Sequence, residues 1–371
     1  MKKSRHIIAG LLAFLLLLLL GGCGPASTRG ELPEGHIWVT DYLGREVAVP
    51  QNPQYVACLF SPATHIIAML GDAGKMVAIP GGNTRDVLFV EIFPSVLQAR
   101  TPKGSGTVNI EELFKDPVPQ VIFLDAATIH DERMMKNLEA FGVPIVAVGF
   151  YSVEELKYNV ALLGQIMGRE ERAAAYNAYL DEKLEMVASR IGNMPNSDKK
   201  IVYHAVNELL RTTVTNTVSG EIIPQAGIIL SGSKATDDDE SDRDNYKNFI
   251  TLEQLFIWDP EYIIINGEDV YDYIYSERGS KLHSLSAYKN GKIYLLPMGI
   301  SRWGHPHSTE GPLTLIWLAK LMHPELFADI DMGEEVKDFY RRFWGAELDD
   351  EMVEQMLSGR GLRSWPVFEM P

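Results

Sequence analysis

Cysteine is nearly absent, with Cys23 and Cys58 the two copies in 371 residues. A disulfide framework is thereby excluded, and the fold must rest on a hydrophobic core. Basic residues are also in deficit: 34 Lys and Arg stand against 50 Asp and Glu, a formal net charge of −16. That balance argues against a nucleic-acid partner. The apolar run from Ile7 to Leu20 stops short of the roughly 20 residues that a membrane-crossing helix needs. The chain also carries no HExxH, no GxSxG elbow and no Walker glycine loop, so the commonest signatures of zinc proteases, serine hydrolases and nucleotide hydrolases are missing.

What is present at the start is ordered: Met1 to His6 is basic, Ile7 to Leu20 is apolar, and Gly21-Gly22-Cys23 closes the segment. This is the sequence of a secretory signal, here assigned to residues 1–22. Leu20-Gly21-Gly22-Cys23 resembles the bacterial lipobox, which implies a cysteine acylated on sulfur and a mature chain anchored by lipid. Residues 23–36 lack apolar periodicity and are rich in Gly, Pro and polar side chains, as a linker is. Cys58 lies in the apolar run Tyr55 to Phe60 and reads as a small buried hydrophobe.

Residues 37–371 are too many for one ordinary core and suit two lobes. Val39 to Pro50 reads as a hairpin turning at Leu43-Gly44. Beyond it, short apolar runs such as Tyr55 to Phe60, Val121 to Leu124 and Ile145 to Val148 alternate with helix-patterned segments. The fold class this predicts is α/β, with mostly parallel sheets. The same alternation resumes after residue 192, in Lys200 to Val206, Tyr262 to Ile265 and Lys292 to Leu296. Between the halves, residues 152–192 contain no proline and begin with the capping box Ser152-x-x-Glu155, which predicts a long helix. As one piece it would measure about 60 Å; the alternative is a pair of helices broken near Gly164 to Gly168, since internal glycine weakens a helix. The lobes are then 37–151 and 193–371. The acidic run Thr236 to Asp244 lacks calcium-loop spacing and reads as a solvated loop.

Two segments echo each other across that connection. Asn109-Ile-Glu111-Glu112-Leu-Phe114 precedes Asp116-Pro117 and an apolar strand, and Thr251-Leu-Glu253-Gln254-Leu-Phe256 precedes Asp259-Pro260 and another. Asn109 and Thr251 can cap their helices, and Glu112 and Gln254 can return the bond. Glu111 and Glu253 are left without a local duty beyond complementing the helix dipole.

With Asp41-x-x-Gly44-Arg45-x-Val47-x-Val49-Pro50, Asn52-Pro53-x-x-Val56, Met69-Leu70-Gly71-Asp72, the echo and Gly291-Lys292-x-Tyr294 in this order, the chain resembles the helix-linked periplasmic binding proteins of the ferric siderophore, haem and cobalamin class. The resemblance implies two Rossmann-like lobes joined by one rigid helix, with a ligand cleft between them. It further implies an ABC permease dimer with its ATPase as partner, and one glutamate per lobe meeting permease arginines, which the echo maps to Glu111 and Glu253. No catalytic role, resident metal or cofactor is implied. Ile300 to Leu313 is similar to the family's C-terminal signature, in which a tryptophan loop borders the cleft.

Open α/β sheets bind ligands beyond the carboxyl ends of their strands. The loops there nominate Ser61, Gly82, Asn83, Arg85, Lys103 and Thr128 in the first lobe, and Asn207, Arg211, Asn266, Arg302, Trp303 and His305 in the second. Glycine lets backbone N–H groups approach an anion, and Arg or Lys adds charge. Such a lining suits an iron–siderophore, haem or corrinoid chelate; a small oxyanion such as molybdate, or a bare transition-metal ion, stays open. His305-x-His307, with His65 or His204, could ligate metal directly or serve a secreted metal-dependent hydrolase. Against that, Pro306 separates the two histidines, and in an extended chain they would point apart.

Overall fold

The computed structural model describes residues 31–104, 107–213, 217–232 and 248–361. Cys23, the signal segment and the acidic run 236–244 lie outside these. Strands β1 (His36–Thr40) and β2 (Glu46–Pro50) form the opening hairpin. Its turn is fastened to the first sheet by Asp41: one carboxylate oxygen accepts from the backbone N–H groups of Leu43 and Arg45, and the other accepts from Arg45 Nε and from Ala147 N–H. The Asp41-x-x-Gly44-Arg45 pattern is thus a clamp.

The first lobe is built on β3 (Val56–Cys58), α1 (Ser61–Met69), β4 (Met76–Ala78), α2 (Val87–Ile92), the small β5–β6 pair (Lys103–Gly104 and Thr107–Val108), α3 (Ile110–Leu113), β7 (Val121–Asp125) and β8 (Ile145–Val148). Its main sheet runs β4-β3-β7-β8, parallel throughout. Every residue of β3 and β8 is buried, as a parallel sheet covered on both faces requires. Cys58 is fully buried and unpaired among the described residues, and burial pushes its thiol far above the ordinary range.

The connection between lobes is two helices, correcting the single long one. Helix α4 (Val153–Met167) starts at Ser152, whose Oγ accepts from Glu155 N–H as the capping box predicts, and stops where Gly168 takes a left-handed φ of 65°. Helix α5 (Glu170–Ile191) then doubles back along it. A Cβ on Gly164 would lie 2.6 Å from that of Ala173, so the two glycines divide the work: one turns the chain and the other admits the returning helix. Lys157 and Asp181 (2.8 Å) and Asn177 Nδ2 donating to Lys157 O (2.9 Å) close the hairpin.

Helix α5, about 33 Å long, is the true bridge. Arg172 donates to the carbonyls of Met69 and Phe343, Tyr176 donates to that of Thr309, and Lys183 pairs with Glu335 at 3.0 Å. The second lobe comprises β9 (Lys200–Ala205), β10 (Arg211–Thr212), β11 (Ile228–Leu230), β12 (Asn248–Phe249), α6 (Leu252–Trp258), β13 (Tyr262–Ile265), β14 (Ile293–Leu295) and α7 (Gly311–Met322). Its sheet runs β12-β10-β9-β13-β14, with β11 also on β9. The pairs β9–β13, β13–β14 and β9–β11 are parallel, and β10 runs antiparallel to both β9 and β12. A π-helical turn after α7, Tyr340–Trp344, returns to the first lobe, where Trp344 packs against His65 and Phe93.

The echoed helices form as expected. Asn109 Oδ1 accepts from Glu112 N–H (3.0 Å) and Thr251 Oγ1 from Gln254 N–H (3.1 Å). The return bond is not made in the first lobe: Asn109 N–H donates to Pro102 O, and the Glu112 carboxylate pairs with Lys115. Glu111 and Glu253 are both exposed, each the second residue of its helix.

Candidate functional site

The loops that follow β3, β4, β9 and β14 line one cleft of about 520 Å³. From the first lobe come Phe60, Ser61, Pro62 and His65, then Gly82, Asn83, Arg85 and Asp86; from the second come Asn207, Met298, Ile300, Ser301, Arg302, His305, His307 and Ser308. Of the nominated residues, Ser61, Gly82, Asn83, Arg85, Asn207, Arg302 and His305 meet here.

The first-lobe wall is a hydrogen-bonded chain. Ser61 Oγ donates to Asn83 Oδ1 (2.9 Å), and Asn83 Nδ2 donates to His65 Nε2 (2.8 Å). His65 follows Ser61 by one helical turn and so shares its face of α1. Asp86 caps α2, accepting from Phe89 N–H at 3.2 Å. Burial, reinforced by the nearby Glu310, pushes its carboxyl up to about 8 despite that bond.

The second-lobe wall is fixed from beneath by Glu310, which is fully buried. Its carboxylate accepts from Ser301 N–H (2.7 Å), Ser301 Oγ (2.8 Å), Trp303 Nε1 (3.1 Å) and Tyr340 Oη. Burial still raises its pKa, against the pull of those donors. Two glycines let the loop lie this close. A Cβ on Gly299 would sit 2.0 Å from Glu310 Oε1, and one on Gly304 would sit 2.4 Å from Asn266 Oδ1. The loop coils: His305 N–H donates to Arg302 O, and Ser308 N–H to His305 O. His305 and His307 therefore do not point apart as an extended chain would have them. Their rings meet edge to face, with centroids 5.8 Å apart.

All three cleft imidazoles are neutral at physiological pH. Burial holds His65 and His307 down to about 4, and His305 to about 3, the last with further opposition from His307, Arg302 and Arg211. His307 Nδ1 donates to Phe150 O at 2.9 Å. Positive charge on the lining comes from Arg85 and Arg302, one per lobe. Neither forms an ion pair among the described residues; Arg302 Nη1 donates to Asn207 Oδ1 (2.8 Å).

Five nominated residues stand elsewhere. Lys103 is neutralised by Asp125 (2.7 Å) and donates to Thr128 Oγ1, which itself donates to Asp125. Asn266 is buried, accepting from His204 Nε2 (2.8 Å), whose Nδ1 accepts from Thr213 Oγ1. Trp303 is buried on Glu310. Arg211 lies outside the lining but close enough to act on His305. Sequence reasoning missed Asp86, Met298, Ile300, Ser301 and Ser308. Each neighbours a nominated residue in the same loop, which was the available signal. Among the described residues no three His, Cys, Asp or Glu side chains are grouped to hold a metal ion, and no helix is long and apolar enough to cross a membrane.

The described chain thus forms two α/β lobes joined through a helix, with a cleft lined from both sides. Residues 56–298 match the family described as Periplasmic binding protein, and the chain belongs to it. It is 24% identical over 333 residues to the molybdate-binding protein MolA of Haemophilus influenzae, covering 82% of this chain and 90% of MolA. The structure of MolA bound to molybdate superposes with a TM-score of 0.73 at 22% identity, over 84% of this chain and 99% of that one. A periplasmic solute binding protein from Veillonella parvula gives 0.71 at 24%, over 87% and 97%. The vitamin B12 binding protein BtuF of Vibrio cholerae gives 0.56 at 17%, over 74% and 99%. The chain is thus an extracytoplasmic solute-binding protein of an ABC transporter, a class that works with a permease and an ATPase and binds substrate rather than converting it.

Proposed function

We propose that the protein is a lipid-anchored receptor, tethered through Cys23, that captures an anionic metal chelate of the siderophore, haem or corrinoid kind and hands it to its permease. The observation that carries this reading is the pair Arg85 and Arg302, one from each lobe, facing one cleft without a carboxylate partner among the described residues. Guanidinium groups so placed supply charge-assisted, bidentate bonds to carboxylate or phosphate oxygens. The neutral histidines add hydrogen-bonding edges without charge, and Asp86, protonated near neutrality, does not cancel the arginines. Ser61, Gly82, Asn83, Asn207 and His305 complete the contacts. The cleft's size supports a chelate: about 520 Å³ falls within the roughly 300–1,000 Å³ of organic-ligand sites.

A second reading, a metal oxyanion, is favoured by the likeness to MolA along most of both chains. Thermal unfolding with a ferric siderophore, haemin, a corrinoid and molybdate separates the two. The true class raises stability by about 2.7 kcal/mol at a hundredfold excess over Kd, and Arg85→Ala with Arg302→Ala removes the effect. Undiminished stabilisation of the double variant would sink the arginine argument. Glu111 and Glu253, exposed at equivalent places in the two lobes, are the proposed contacts with permease arginines.

A further inference from the structure

The two echoed helices agree where they face the core and differ where they face solvent. Leu113 and Leu255 are fully buried at equivalent places, and Glu111 and Glu253 are exposed at equivalent places. Four residues on from each glutamate stands Lys115 in the first lobe and Ile257 in the second. Lys115 is charged and pairs with Glu112. Ile257 is 75% exposed, the most exposed large hydrophobic side chain among the described residues. In α6 its spacing from Glu253 puts the two on one face of the helix.

The fold makes no use of that side chain. Leu252, Leu255, Phe256 and Trp258 all pack into the second lobe's core, and Ile257 is the one apolar residue of α6 that does not. A β-branched residue also gives up helix propensity there, where Lys or Ala would serve the helix better. Phe249, on the edge strand β12 just before the Thr251 cap, is the next most exposed at 53%, so one short segment carries both residues together with Glu253. Apolar groups beside a charge are the makings of an intermolecular contact, in which burial holds and the charge orients. We propose that Ile257 is the second lobe's apolar anchor on the permease, seated in an apolar hollow beside the arginine that meets Glu253, whereas the matching place in the first lobe, Lys115, offers charge. The inference rests on the reading that Glu111 and Glu253 face the permease, and extends that contact by one helical turn. Burial of the anchor is insensitive to salt, while the glutamate contacts are screened by it.

A benzophenone side chain placed at Ile257 in source cells, followed by irradiation, identifies the partner. The adduct is expected to contain the membrane-spanning subunit of an ABC importer. With that importer held in nanodiscs, Ile257→Ala is expected to weaken docking about tenfold and Ile257→Leu to preserve it, while neither lowers the melting temperature. The loss caused by Ile257→Ala is expected to persist at high ionic strength, and the loss caused by Glu253→Ala to shrink. An adduct with any other protein, a second copy of this chain included, no adduct at all, or wild-type docking by Ile257→Ala would overturn the proposal. Wild-type docking by Ile257→Ala beside weakened docking by the Glu111→Ala, Glu253→Ala double variant would do so while leaving the glutamate contacts standing. The reverse pattern would keep the anchor and strike the glutamates.

Discussion

Acidification should destabilise this protein by an amount that its buried histidines set. His65, His204 and His307 are each held down to about 4 and His305 to about 3, burial being the main cause. An unfolded histidine titrates near 6.5. Between these values the unfolded chain binds protons that the folded one refuses, so stability falls as pH falls through that window. At 1.36 kcal/mol per pH unit, each histidine costs ~2 kcal/mol at pH 5, or ~8 kcal/mol for the four. Asp86 acts in the opposite sense. Its folded carboxyl titrates near 8, so from pH 4 to 8 the folded state holds the extra proton, and moving from pH 7 to 5 restores ~2.5 kcal/mol. The net loss is ~5 kcal/mol, a large part of the 5–15 kcal/mol typical of a folded domain. Urea unfolding at pH 7, 6 and 5 measures it. Asp86→Asn keeps a residue able to cap α2 and removes the opposing contribution, so its loss over the same range should grow by about half. A flat profile, or a variant that loses less than the wild type, would refute the reasoning.

Three further outcomes are expected. Glu111→Ala with Glu253→Ala should leave ligand affinity and melting temperature unchanged while uptake in cells falls sharply, each single change doing less; normal uptake by the double variant would reduce both residues to helix-dipole partners. Cys23→Ser should release an unlipidated protein, and membrane retention with the signal removed would count against the anchor. Small-angle scattering should show little change in radius of gyration on ligand binding, because α5 and the Trp344 turn tie both lobes; a large contraction would contradict this.

The period of apolar residues made the two α/β halves, the hairpin and the echoed helices legible, because burial dictates that period. The fold of the connection onto itself was harder to read. Gly164 and Gly168 were visible as breaks, but the contact that makes Gly164 necessary is with Ala173, which only the turned chain brings near. The cleft was legible as a set of loops and not as a set of side chains. Lys103 and Trp303 occupy loops of the right kind, yet Asp125 and Glu310 draw them away. Those partners sit on a different strand in one case and seven residues along in the other, and local sequence does not announce which pairings win. Asp86 was passed over, yet it is half-buried in the cleft wall and close enough to Glu310 of the second lobe to feel its charge.

The returning C-terminal turn gives the molecule an unusual economy of motion. A receptor hinged on flexible strands stores its release step as a swing that thermal fluctuation can make alone. Here the gap is crossed by α5, by the bond from His307 to Phe150 O, and again where Trp344 rests on His65 and Phe93. Opening the mouth means lifting an indole off the back of the same histidine whose front belongs to the cleft. Any widening of the cleft would have to disturb that indole–imidazole contact.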